Sequence, residues 1–197
     1  MACPAVAGVA TLVREYFVSG RYPGGTPNPA NALTPSGALL KAMILNATQD
    51  MLSHGAAIPN DSEGWGRLAA DLSVELPGDA RKLFVRDVRN NAGLSTGGVV
   101  EIPITVTGSG EPLRATLAWT EPPGAAGSVN PVVNNLDLEL LGPDATLYRG
   151  NVFAGGFSTT GGTADAKNNV EQALVSAPAA GVWTVRIKGA AVNQGLQ

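Results

Sequence analysis

The chain has 197 residues, of which 44% are hydrophobic and 15% are charged, so it holds ample apolar material for a buried core. That length allows one large domain or two small ones. The net charge of −3 argues against a nucleic-acid-binding protein, which usually shows a basic patch. No apolar run approaches the roughly 18 residues of a membrane span, so we expect neither nucleic acid nor membrane as a partner. A single cysteine, Cys3, excludes an intrachain disulfide and a zinc site of several cysteines.

Helical patterns dominate the first part of the chain. Residues 5–13 are small and apolar on every face, which predicts a helix for the interior of a larger structure. Pro4 precedes this run and is tolerated in a first turn. A second apolar run, residues 37–45, follows the segment Thr34-Pro35-Ser36, in which a cap-type residue stands ahead of proline, and predicts another helix. Residues 20–35 are rich in Gly, Pro and Asn, so we expect a loop between the two helices.

From about residue 80 the hydrophobic period changes to two. Apolar residues alternate with polar residues or proline in four runs, which predict strands at 100–106, 113–120, 136–140 and 183–188. Weaker patterns predict strands at 83–88, 146–148 and 170–175. Pro103 cannot donate to a ladder on its own side, which marks its strand as an edge strand. We therefore expect an antiparallel sandwich or barrel, with residues 1–78 and 79–197 as two domains.

The first eight residues, Met-Ala-Cys-Pro-Ala-Val-Ala-Gly, resemble the continuation of the nucleophile motif of subtilisin-like serine proteases, Gly-Thr-Ser-Met-Ala-x-Pro-x-Val-Ala-Gly. Residues 64–67 resemble a Gly-x-Gly-type segment near the end of the same catalytic domain. Residues 111–139, and later 168–171 and 181–185, resemble the C-terminal β-sandwich domain of a subset of these proteases. The resemblance implies an α+β fold, in which a helical remnant of the α/β catalytic domain precedes a jelly-roll-like antiparallel sandwich.

The resemblance makes Met1, Ala2, Cys3 and Pro4 the residues that flank the nucleophile serine. Because the triad order in this family is Asp, His, Ser, the triad and the oxyanion asparagine would all lie upstream. His54 follows the nucleophile position and cannot be the family's base. We therefore expect the C-terminal portion of a secreted, extracellular endopeptidase that cuts polypeptides, clipped at both ends and inactive by itself, with no catalytic residue assigned. The alternative is a non-catalytic sandwich module that binds or stabilises a polypeptide or a glycan.

Three acidic residues are candidate metal ligands. Asp137, Asp165 and Glu171 lie near asparagine amides in the sequence and supply the hard oxygen atoms that calcium prefers. The resemblance adds to this expectation, because the family often uses calcium as a structural ion. The alternative for Asp137 is a solvated carboxylate or a turn hydrogen bond.

Four other side chains carry simpler expectations. Cys3 predicts a small buried thiol rather than a nucleophile, and His54 predicts a surface loop residue. Trp119 and Trp183 alternate with polar residues, which favours core positions over a sugar-stacking platform.

A signal peptide is disfavoured at the N-terminus, because the first basic residue, Arg14, follows the apolar run rather than preceding it.

The predicted apolar helix also leads to an expectation about self-association of the chain. A helix that is apolar on every face, and a sheet edge without a partner, both favour burial against another chain. We expect a homo-oligomer that uses the exposed sheet edge, the helix surface, or both. That helix surface comprises Val6, Val9, Leu12 and Val13. The alternative is a monomer whose helix folds back onto the sandwich.

Overall fold

The computed structural model describes residues 2–51, 55, 57–108 and 110–197. The chain divides into two compact units, one ending at Asp87 and the other spanning Val88–Gln197. The first unit is mainly helical and the second is antiparallel β, so the prediction of an α+β fold with a β-sandwich is confirmed. The boundary between these compact units falls after Asp87, and the division into domains at residue 78 stays a prediction.

Helix α1 spans Ala2–Val18 and buries its C-terminal part. Val13, Tyr16 and Phe17 are all buried, because positions three and four apart lie on one face of a helix. Gly20 ends the helix in the left-handed region, at φ +68°, and a Cβ there would collide with the backbone of the following loop. Only glycine accommodates both requirements without strain.

Helix α2 spans Gly37–Asn46 and begins at a well-defined cap. The Ser36 hydroxyl accepts a hydrogen bond from the Leu39 N–H at 3.0 Å, which satisfies a free donor of the first turn. The Asp87 carboxylate accepts both the Ser36 N–H at 2.8 Å and the Ser36 hydroxyl at 2.6 Å, and so orients the cap. Leu39 and Met43 then pack against α1 to form the core of the first unit.

The predicted strand at residues 83–88 is wrong, because the structure has no strand in this segment. Leu83 and Val85 pack against the helical core, which explains their period of two. Their amides find side-chain acceptors instead of a ladder. The Leu83 N–H donates to Glu75 Oε2 at 3.0 Å and the Val85 N–H donates to the Tyr22 hydroxyl at 2.9 Å.

Short elements complete the first unit. Strand β1 (Thr48–Gln49) pairs antiparallel with β2 (Arg67–Leu68), directly after the glycine-flanked turn around Trp65. The predicted loop at 20–35 contains one 3₁₀ turn, Pro29–Asn31. Two further 3₁₀ turns lie at Ala70–Leu72 and, at the start of the second unit, Asn90–Ala92.

Seven strands build the second unit, and each is antiparallel to its neighbours. They are β3 (Val99–Val106), β4 (Leu113–Ala118), β5 (Asn134–Leu141), β6 (Leu147–Ala154), β7 (Phe157–Thr160), β8 (Val170–Val175) and β9 (Gly181–Val192). One sheet has the order β3-β9-β5-β6-β7 and the other pairs β4 with β8. Strand β3 is an edge strand, as Pro103 predicted. The short strand β7 was not predicted, since its four residues hold only one large apolar side chain.

The core of the second unit lies between these two sheets. Leu138 and Leu140 of the larger sheet face Ala173 of the smaller one, and Trp183 fills the space beside them. Trp183 and Trp119 are both buried, which confirms the prediction that they are core residues. The sandwich therefore has its own hydrophobic core.

Candidate functional site

The residues that flank the nucleophile in the resemblance lie at the start of α1. Ala2, Cys3 and Pro4 are exposed in its first turn, whereas Met1 lies outside the described residues. Cys3 is a free and exposed thiol, so the prediction of a buried thiol is wrong. Full burial on α1 begins only at Val13; residues 2–5, 7 and 8 are exposed, and Val6 and Val9 are half-buried.

No catalytic pair can be built around a histidine in the part of the chain that the structure describes. The chain's one histidine, His54, lies outside the described residues, so its expected place in a surface loop stays a prediction. The close serine–carboxylate contact of the first unit joins Ser36 to Asp87, and this pair caps α2.

Glu171, on β8, carries a carboxyl group deep inside the second unit. Its side chain is 1% exposed, and its Oε2 atom accepts the Leu138 N–H at 2.7 Å. The carboxyl group packs directly on Gly150, where any Cβ would collide with it. Its Oε1 atom has no hydrogen-bond partner among the described residues. The carboxyl group thus satisfies the Leu138 N–H through Oε2 and leaves Oε1 without a donor.

Burial raises the pKa of Glu171 to about 8, although the hydrogen bond from Leu138 opposes the shift. Three neighbouring negative charges raise this pKa further, those of Asp137, Asp165 and Glu139. Glu171 without a compensating cation is therefore mainly a neutral acid at pH 7.

Asp137, whose charge acts on Glu171, lies on β5 two residues after Asn135. The Asn135 side-chain amide donates to Asp137 Oδ1 at 3.3 Å, and Asn135 Oδ1 is buried without a partner among the described residues. The β5–β9 register shifts between Asn135 and Leu136, and such bulges re-aim side chains. Burial raises the pKa of Asp137. A cleft of about 290 Å³ opens beside Asp137 and Lys188.

Asp165 has different surroundings, because hydrogen-bond donors occupy both of its oxygens. Oδ2 accepts the side-chain amides of Asn151 at 2.7 Å and Asn168 at 2.6 Å, and Oδ1 accepts the Lys167 N–H at 2.8 Å. Burial raises the pKa of Asp165, but these donors outweigh it and hold the pKa below its usual value. Asp165 therefore stabilises the loop that contains Lys167 and Asn168.

The three predicted calcium ligands are not assembled into one cage. Across the described ranges, no group of three or more His, Cys, Asp or Glu side chains is placed to hold a metal ion. The charges of Asp137 and Asp165 both act on Glu171, but Asp165 is bound to its own donors.

A ladder of ion pairs on the larger sheet was missed by the sequence reasoning. Glu139 is 5% exposed and accepts Arg186 at 3.1 Å and Lys188 at 2.7 Å, while Arg186 also donates to Glu101 at 2.7 Å. The alternation of each strand already shows that these residues share the face opposite the core. Only the register, which aligns Glu101 and Glu139 with Arg186, brings them together.

No protein-family model matches the chain. The chain is similar to three Dictyostelium discoideum proteins named serine protease/ABC transporter B family proteins. It is 30% identical to tagD over 87% of this chain, 28% identical to tagB over its whole length, and 26% identical to tagA over 95%. The chain spans 12%, 13% and 11%, respectively, of the length of these relatives. The similarity relates the chain to proteins named for serine protease activity.

The relatives are also named for a transporter family, which makes membrane-spanning segments relevant. Among the described residues, neither helix is long and apolar enough to cross a bilayer.

Proposed function

We propose that the chain is the C-terminal portion of a secreted, subtilisin-like serine endopeptidase. This proposal rests on the match to tagD, a protein named for a serine protease, which is 30% identical and extends over 87% of the chain. Residues 1–8 support it, because they match the segment after the nucleophile serine of that family, and α1 begins at Ala2 within this segment, as the motif requires. The antiparallel sandwich that follows agrees with the accessory domain found in a subset of the family.

In this proposal the chain supplies scaffold rather than chemistry. The whole protein hydrolyses peptide bonds of extracellular polypeptides by serine acyl transfer, with its Asp, His and Ser on other segments. Helix α1 places the residues after the nucleophile, and backbone N–H groups at its start help to bind the oxyanion. The exposed, small residues at the start of α1, from Ala2 to Pro4, suit a helix that the rest of the catalytic domain covers.

The test compares this chain with a longer protein. The genomic reading frame should run through Gly-Thr-Ser immediately before Met1, and the extended protein should cleave a chromogenic peptide in a manner blocked by a serine-directed inhibitor. Loss of a triad removes about six orders of magnitude in turnover, so the 197-residue chain alone should show no hydrolysis. Activity of the purified chain that is abolished by Cys3→Ala would overturn the proposal.

The second candidate function is a non-catalytic module that binds or stabilises a polypeptide or a glycan. It is favoured by the second unit's own core and by the cleft beside Asp137 and Lys188. Trp119 and Trp183 offer no sugar-stacking platform, because both are buried. Titration of the intact chain with unstructured polypeptides and with oligosaccharides tests this candidate: saturable binding in the absence of any upstream protease sequence would favour it.

We also propose that the chain, when separated from a larger protein, associates with itself through the α1 surface, the exposed sheet edge, or both. Leu12 is 66% exposed, and Val6 and Val9 are half-buried, so apolar surface remains available on the helix. Val13 is 1% exposed and belongs to the core, which removes it from the predicted surface.

A further inference from the structure

The β4–β5 loop, residues 119–133, contains the longest run of exposed residues in the part of the chain that the structure describes. Residues 123–131 are all exposed, and Val129 within them is 103% exposed. None of the residues of this loop belongs to a helix or a strand. Connections of about 12–15 residues or more without secondary structure are uncommon in compact domains, and such loops often carry a function.

Both ends of the β4–β5 loop are fixed to the sandwich. The Glu121 carboxylate accepts the indole N–H of the buried Trp119 at 2.5 Å. The same carboxylate accepts the N–H groups of Val133 and Asn134, each at 3.1 Å. Glu121 therefore joins the beginning of the loop to its end, so the residues between them can change conformation while both strands keep their places.

Few contacts hold the exposed part of the loop itself. The Ser128 N–H donates to the Ala125 carbonyl at 3.1 Å, and the Ser128 hydroxyl donates to the Asn130 carbonyl at 2.6 Å. The Asn130 side chain adds two longer contacts, at 3.4 and 3.5 Å, and Gly124 lies close to the Pro131 carbonyl. These hydrogen bonds lie at the surface and none belongs to a strand ladder, so local opening of the loop costs far less than unfolding of the sandwich.

The composition of the exposed run suits a peptidase that accepts small side chains. Exposed loop tips of small residues are preferred sites of proteolysis, and the small aliphatic residues of this run are Ala125, Ala126 and Val129. An extended substrate pairs its backbone with the enzyme, and a proline cannot donate to such pairing. Because Pro123 and Pro131 bound the run, the susceptible peptide bonds lie between them.

We propose that the β4–β5 loop is a proteolytic processing site, at which an endopeptidase that accepts small aliphatic residues hydrolyses one peptide bond between residues 124 and 130. The acyl carbon gains the oxygen of a water molecule and becomes a carboxylate. Both hydrogens of that water go to the nitrogen, which leaves as an ammonium group. The site makes the chain a substrate, so it stands independently of the proposed protease function.

Cleavage leaves the two fragments in one folded body. The N-terminal fragment carries β3 and β4, and the C-terminal fragment carries their partners β9 and β8. Strand β3 pairs with β9 over Val99–Val106, and β4 pairs with β8 over Leu113–Ala118. Leu113 and Leu117 also pack against the core of the sandwich. The expected product is therefore a two-chain form of the second unit that these non-covalent contacts hold together.

Limited proteolysis of the intact chain by elastase tests the site, since the specificity pocket of elastase takes small side chains. Mass spectrometry should place the first cut of the second unit between residues 124 and 130. The two products should elute together from a size-exclusion column in native buffer and should separate in denaturant.

Trypsin provides a control for unfolding of the sandwich. The sequence has no Lys or Arg between Arg114 and Arg149, so trypsin cannot cut the loop, and its cut after Arg114 requires β4 to leave its sheet. The elastase cut should precede the Arg114 cut. Low concentrations of urea should accelerate the Arg114 cut strongly and the loop cut only weakly, because local opening exposes little surface.

Proline variants localise the cut. Ala126→Pro places a proline at the second position of the turn at residues 125–128, directly before Gly127 at φ +76°, where the turn geometry accepts it. Combined with Val129→Pro, it should slow the loop cut by about tenfold or more, because both changes remove backbone donors and restrict the loop. Ala164→Pro, in the exposed segment after β7, is the control and should leave the rate of the loop cut unchanged.

Three outcomes would overturn the proposal. A first cut of the second unit elsewhere, for example in the exposed residues 161–164, would show that the β4–β5 loop is not the preferred site. A loop cut that urea accelerates as much as the Arg114 cut would show that only the unfolded sandwich is cleaved. Products that separate in native buffer would rule out the two-chain form. If the double proline variant does not fold, the position and the urea dependence of the wild-type cut decide.

Discussion

Glu75 joins the segment after residue 80 to the helical core of the first unit. Its side chain is 6% exposed, and its carboxylate accepts the Leu83 N–H at 3.0 Å and the Lys82 ammonium group at 2.9 Å. We expect Glu75→Ala to destabilise this unit, because the substitution leaves a partly buried amide without an acceptor.

The size of the effect follows from these two contacts. A hydrogen bond to a charged group contributes about 1.5–3 kcal/mol. The Lys82 side chain is 74% exposed, and such a surface ion pair contributes about 0–1 kcal/mol. The loss should therefore be about 2 kcal/mol and come mainly from the Leu83 amide, which corresponds to about a 30-fold change in the unfolding equilibrium. Lys82→Ala is the matched control and should cost well under 1 kcal/mol.

The same residue predicts a dependence on pH. Burial raises the pKa of Glu75, but the Leu83 N–H and the Lys82 ammonium group outweigh it and hold the pKa below its usual value. The stabilisation is therefore complete above the unfolded-state pKa of about 4.3 and is lost as the pH falls through the lower folded-state pKa. Glu75→Gln keeps an acceptor and removes this dependence.

Hydrogen exchange measured by mass spectrometry is the appropriate assay, since it reports on each unit separately. Peptides of α1 and α2 should exchange about 30-fold faster in Glu75→Ala at neutral pH, and this difference should shrink at pH 3. Equal exchange in wild type and Glu75→Ala, or an equally large effect of Lys82→Ala, would refute the assignment of the stability to the Leu83 amide.

Further predictions concern the stability of each unit and the self-association of the chain, and they follow from which side chains are buried and which are exposed. Asn134 is fully buried and its Oδ1 accepts the N–H groups of Asn193 at 2.8 Å and Gln194 at 3.0 Å, so Asn134→Ala should lower the stability of the second unit by about 2–3 kcal/mol in urea denaturation. A change within about 0.5 kcal/mol would contradict that role. Leu12→Lys should reduce self-association in light scattering while the far-UV circular dichroism stays unchanged, because Leu12 is exposed. Val13→Lys should unfold the first unit, because Val13 is in its core, and an intact, folded Val13→Lys protein would contradict that placement.

Local signals in the sequence were enough to predict most of the elements. Proline and a cap-type residue before an apolar run predicted α2, although the structure shows that Ser36, after the proline, is the cap rather than Thr34 ahead of it. Alternating apolar residues predicted six of the seven strands of the second unit, because one face of each strand is buried in the core. These features depend on residues a few positions apart, so the chain carries them without reference to its tertiary contacts.

Contacts between residues far apart in the sequence decided which alternating segments form strands and which charged residues are buried. Residues 83–88 have the alternation of a strand, but the acceptors that satisfy their amides are side chains from distant segments, Glu75 and Tyr22. Likewise, alternation puts Glu139 on one face of β5, while its burial depends on the register of β9, which delivers Arg186 and Lys188.

The candidate site shows the same division. Asp137, Asp165 and Glu171 are all acidic residues near asparagines, and composition alone gives no reason to separate them. In the folded chain Asp165 is bound by three donors, whereas Glu171 is buried with one oxygen free. The difference arises because burial and hydrogen-bond satisfaction are set by the whole sandwich, in which Glu171 reaches from the smaller sheet to Leu138 of the larger one.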